Sequence, residues 1–134
     1  MGVCAFVASG LNFDVDGYLK KSPFKPMTVF RKGEVPTKDP NPQPRPNSGF
    51  VAIVAHTPEP GILNEIPKAL TFLIKHEREF LRLRDLGVDN SLLDFCVENQ
   101  GKIQESNYLP PELIAALARF RMGLIFSTIQ LPRG

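Results

Sequence analysis

PPELIAALARFRMGLIFSTIQL, residues 110–131, is where the fold of this chain is decided. Pro110-Pro111-Glu112 suits a helix start, because proline at the first helical position gives up only an N–H that has no partner there. Leu113, Ile114, Leu117 and Phe120 then recur at the three-to-four spacing of one buried helix face. This pattern predicts a helix to Arg121, stopped by Gly123. From Leu124 the helical stripe gives way to a short apolar run, LIFSTIQL, which reads as the last strand. A helix feeding straight into a strand calls for a fold in which the two share one core.

The same alternation continues backwards. Residues 92–97, LLDFCV, form another apolar strand. Residues 62–86 hold the longest helical pattern, with Ile66, Leu70, Leu73, Phe80, Leu81 and Leu83 on one face. Pro67 is tolerable only near its start, so the helix proper is expected to begin at Asn64 as N-cap and to end at Gly87. Residues 50–55, FVAIVA, form a strand ended by Pro58 and Pro60. Residues 26–32, PMTVFRK, alternate but present no purely apolar face. Residues 13–21 read as a short helix stopped by Ser22-Pro23, and residues 3–8 as a first, central strand. Between two strands, residues 34–48 carry Pro36, Pro40, Pro42, Pro44 and Pro46; proline lacks the ladder donor and holds an extended backbone, so this is a stiff connecting loop.

The order is β-α-β-β-α-β-α-β. Its simplest packing is a single two-layer α+β domain over residues 1–134. It has a mixed or antiparallel sheet of about five strands with the two longer helices on one face. A sheet edge left unpaired would allow a homodimer.

Composition agrees with a folded domain. Of the 134 residues, 43% are hydrophobic and 22% charged, so disorder of the whole chain is excluded as a class. A net charge of +2 implies neither a nucleic-acid nor a membrane partner. No apolar run approaches the length of a membrane span. The opening MGVCAFVASG lacks the charged start of a signal peptide, and Phe6 stands where a myristoylation signal wants Ser or Thr. With Cys4 and Cys96 in apolar runs at no metal spacing, the expected location is cytoplasmic and the thiols inert.

Several chemistries fail on spacing. NFDVDG, residues 12–17, matches the first half of a calcium loop, but Lys20 and Pro23 fall where the later oxygen ligands belong. The expectation is that Asn12 or Asp14 caps the short helix. HEREF, residues 76–80, has Phe80 where a zinc-binding helix needs its second histidine, so a solvated, mixed-charge helix face is expected. No phosphate-cradling glycine loop is present, and no metal or cofactor is expected. Residues 18–46 carry seven cations against Glu34 and Asp39. Arg31 and Lys32, with His56 at a strand end, are therefore the candidate ligands for a small anion. Nucleic acid is not the expected partner, since no RNA-binding signature surrounds Tyr18, Phe24 and Phe30.

SGLNFDVDGYLKKSPFKP followed by VFRKGE resembles the opening of a bacterial family catalogued as domain of unknown function 4279. LLDFCVENQG followed by LPPELIAALARFRMGLIFSTI is similar to that family's second half. The resemblance departs at Pro26-Met27, where the family shows Pro-Thr, and at Phe50, where the expected aromatic comes late. It implies the α+β fold and a bacterial source, and carries no activity.

Three functions follow as expectations. The first is a non-enzymatic protein-interaction or regulatory module, such as an immunity-type protein. The second is a binder of small anionic ligands using Arg31, Lys32 and His56. The third is an enzyme using Glu98, Asn99, Gln100 or another strand-end carboxylate.

Overall fold

β1 (Gly2–Gly10) is the axis of the molecule. In the computed structural model, which describes residues 2–37, 40–57, 65–98 and 108–129, β1 lies in the middle of a five-stranded sheet ordered β2-β3-β1-β4-β5. Its two neighbours, β3 (Ser48–Thr57) and β4 (Asn90–Glu98), both run antiparallel to it. β2 (Pro26–Phe30) extends the sheet antiparallel to β3, and β5 (Gly123–Ile129) runs parallel to β4. The parallel pair needs a crossover, which the helix predicted at residues 110–121 supplies.

Side chains alternate across a strand. Cys4, Phe6 and Ala8 are therefore buried while Val3, Ala5 and Val7 are half-buried. On β3 a register shift opposite Cys4 and Ala5 leaves Val54 as an extra residue, and this bulge keeps Phe50, Ala52 and Ala55 all buried. Helices α1 (Val15–Leu19), α2 (Glu65–Lys75), α3 (Glu77–Asp85) and α4 (Pro111–Arg119) pack on the Phe6 side of the sheet. Aromatics fill the layer between. Phe6 lies 5.2–5.9 Å, ring centre to ring centre, from Phe24, Phe50, Phe72 and Phe80. Among the described residues, no helix covers the other face, which presents Val3, Ala5, Val7, Val51, Ile53, Leu92, Asp94, Cys96 and Ile125.

The two-layer α+β reading holds, with the first strand central. Two helices differ from expectation. The single long helix is broken at His76, whose backbone (φ −108°, ψ 23°) leaves the helical region and starts α3. The stripe 66, 69, 73, 80, 83 requires an apolar residue at position 76, and histidine occupies it, against the rings of Phe24 and Phe72 at 4.9 Å. The stripe is also narrower than expected. Leu81 and Ile114 are 44% and 53% exposed, because each follows the buried residue by one position and is turned about 100° away from it. α4 stops at Arg119, before Gly123. The stop is Arg121 in left-handed conformation (φ 52°), with the Met122 N–H bonded to the Leu117 carbonyl at 2.8 Å. The expected Asn64 cap lies outside the described residues.

The proline loop is pinned at its base. The Gly33 N–H donates to the Arg45 carbonyl and the Arg45 N–H to the Glu34 carbonyl, both at 2.8 Å, and the Arg45 guanidinium lies over the Phe30 ring.

Candidate functional site

A cleft opens where the C-terminal ends of α3 and α4 meet the start of β4. Its volume is about 670 Å³, and Leu81, Arg84, Asp85, Val88, Asp89, Ser91, Phe120 and Arg121 line it. This size falls within the range of small-molecule sites.

Three short segments build it. Arg84 and Asp85 end α3. Gly87, at φ +104°, then turns the chain, and the Val88 N–H closes back on the Leu83 carbonyl at 3.1 Å. The turn is held against the end of β1. The Asp89 N–H donates to the Ser9 carbonyl, and the Asp89 carboxylate accepts the Leu11 N–H at 3.3 Å. Contact there is so close that a Cβ on Gly10 would sit 1.9 Å from the Gly87 carbonyl oxygen. The third segment is the end of α4, where the left-handed backbone of Arg121 carries its side chain to the cleft. Val88 and Phe120 are buried and supply an apolar floor.

The charges of this cleft are unmatched. Arg84, Asp85 and Arg121 line one space, yet among the described residues none of the three joins an ion pair or a side-chain hydrogen bond. Some charges on the neighbouring helices do pair. Arg119 meets Glu77, Arg82 meets Glu79, and the Tyr18 hydroxyl donates to Glu79 at 2.7 Å. The HEREF segment is thus partly knitted into the fold rather than merely solvated. Burial drives the Tyr18 hydroxyl pKa upward, so it stays a donor.

The residues expected to bind an anion are not brought together. Arg31 holds Asp16 through two hydrogen bonds of 2.9 and 2.8 Å and has Glu34 at 3.6 Å, so its charge is already answered. Its guanidinium bonds hold the Asp16 carboxyl below the ordinary range. Lys32 anchors the loop through its backbone N–H to Ser48 Oγ. His56 lies opposite Val3, seven residues along β3 from the Gly49 that faces Phe30, or about 23 Å at 3.3 Å per residue. Asp14 caps α1 by accepting the Gly17 N–H at 3.1 Å.

Cys4 is buried, and burial, then Glu65 and Asp94, push its thiol up to about 12. Cys96 is half-buried with its pKa raised by burial and Asp94. Neither thiol is a thiolate near neutral pH, so neither is an activated nucleophile. Glu65, fully buried at the start of α2, is a polar core residue that the helical pattern gave no reason to single out. Of the residues proposed for catalysis, Asn99, Gln100 and the side chain of Glu98 lie outside the described residues. Residues of the cleft went unread because they come from three segments. The one local signal is RLRDLGVDNS, residues 82–91, where opposite charges flank a helix-ending glycine.

Comparison of the chain with protein-family models, curated proteins and solved structures found no match. Its residues alone carry the functional argument.

Proposed function

We propose that this protein is a non-enzymatic protein-interaction module that pairs through the outer edge of β5, and that its partner there is a second copy of itself. One observation carries this reading: among the described residues, nothing pairs with or guards the outer edge of β5. GLIFSTI contains no charge, no proline and no bulge, the devices with which edge strands avoid pairing. Ile125 and Phe126, on opposite faces, are each 43% exposed. α4 packs chiefly against α2 and leaves Phe126 to stack only on Phe95.

A second copy fits by symmetry. Antiparallel pairing about a two-fold axis at Phe126 sets Phe126 beside Phe126, Ile125 beside Ser127 and Leu124 beside Thr128, with no charge at the seam. Seven paired residues give a seam about 23 Å long, below the extent of a standard interface, so the dimer is concentration-dependent. No helix among the described residues is long and apolar enough to cross a membrane.

Sedimentation velocity over micromolar to millimolar protein tests this. The wild type shifts toward dimer as concentration rises. Ile125→Lys places a lysine on the edge and holds the chain monomeric with an unchanged melting temperature. A wild type that stays monomeric throughout overturns the reading, as does an Ile125→Lys variant that still dimerises.

A further inference from the structure

We propose that the α3–α4 cleft is a binding site for a small zwitterion with an apolar body: a free amino acid with a large apolar side chain, or an apolar dipeptide. The inference is independent of β5 pairing.

The chemistry follows from the lining. Arg84 and Arg121 are matched in number by Asp85 and Asp89. A simple anion would meet as much repulsion as attraction there, and so would a simple cation. A molecule carrying an ammonium and a carboxylate a few ångströms apart satisfies both signs at once. Its carboxylate meets the planar fork of a guanidinium, which suits bidentate pairing. Its ammonium meets Asp85 or the free oxygen of Asp89, whose Oδ2 accepts the Leu11 N–H. Ser91 adds a hydroxyl. Leu81, Val88 and Phe120 form the apolar wall for the body of the ligand.

Two further observations favour a site over an ordinary surface. Charges of both signs line one cleft without pairing with each other; of the other arginines among the described residues, Arg31, Arg82 and Arg119 meet carboxylates, Arg45 lies over the Phe30 ring, and Arg78 joins no ion pair. Arg121 also occupies the one left-handed position held by a residue other than glycine among the described residues. Glycine would suit that backbone better, so arginine there is a local expense that a ligand contact explains.

The left-handed backbone also supplies a clean test. Arg121→Gly removes the guanidinium while relieving the backbone, so lost binding cannot be ascribed to lost folding. L-Phenylalanine and L-leucyl-L-phenylalanine are titrated by calorimetry and NMR against wild type, Arg121→Gly and Asp85→Asn, with the N-acetylated and C-amidated forms of each probe. We expect saturable binding of at least one zwitterion to wild type, shifting the amides of residues 84–91 and 120–122. Blocking either charged end, or making either substitution, weakens it at least tenfold, while apo Arg121→Gly melts at or above the wild type. Equal binding of the two probes assigns a free amino acid; tighter dipeptide binding assigns a peptide. No saturable binding of either probe, or binding indifferent to blocked ends or to Arg121→Gly, overturns the proposal.

Discussion

Asp14 and Arg121 show how single residues set the ends of helices here. Asp14 Oδ1 accepts the Gly17 N–H and starts α1, so Asp14→Ala should cost about 0.5–2 kcal/mol in urea denaturation, the usual loss of a cap. The cap was legible because Asn and Asp before a helix are strong local signals. Asp16, two residues on, was not: its partner Arg31 comes from beyond β2, and no spacing rule links them. Arg121 ends α4 in a conformation that disfavours a side chain. Arg121→Gly should therefore raise stability by about 1 kcal/mol, the relief of a left-handed non-glycine less the extra freedom of the unfolded chain. Gly10 behaves oppositely. A Cβ there meets the Gly87 carbonyl, a backbone atom that cannot step aside, so Gly10→Ala should destabilise by at least about 2 kcal/mol and disturb the cleft turn.

At the scale of elements, strands were more legible than helix ends. A strand declares itself by alternation and by the glycines and prolines around it, as 2–10 and 48–57 do. The break at His76 was hidden because its neighbours keep the helical stripe in phase on both sides. Its consequence is a pH dependence. Burial, then the charge of Lys75, lowers the His76 pKa, and Glu79 only partly opposes this. Between that lowered value and the ordinary 6.5, the unfolded chain binds more protons than the folded one. The stability that neutral His76 supports is therefore complete above that ordinary value and is lost as pH falls through the window. His76→Gln should lower stability near neutral pH, because it removes ring contacts with Phe24 and Phe72. It should also shrink the fall in melting temperature between about pH 7 and about pH 5. An unchanged pH slope in the variant would assign that slope to other groups.

Across the whole molecule, strand order was the least legible feature, since nothing local says that residues 90–98 pair with 2–10 while 123–129 pair beyond them. The arrangement concentrates the core on one side of the sheet, with Phe6 at its middle. Phe6 is fully buried and touches rings from β3, α2, α3 and the segment before β2, so it ties the layers together. Phe126, on the same face of the edge strand, has one ring neighbour and is nearly half exposed. Phe6→Ala should cost about 3–5 kcal/mol, the loss of a large buried side chain plus the cavity it leaves. Against a domain stability of about 5–15 kcal/mol, that is enough to threaten cooperative unfolding. Phe126→Ala should cost the monomer below about 1 kcal/mol, because water already covers much of the ring. Its effect belongs to association, where the same ring would face its counterpart. Urea denaturation at low concentration and sedimentation at high concentration separate the two. If Phe126→Ala destabilised the monomer as strongly as Phe6→Ala, the outer edge of β5 would be part of the core rather than a surface kept for a partner.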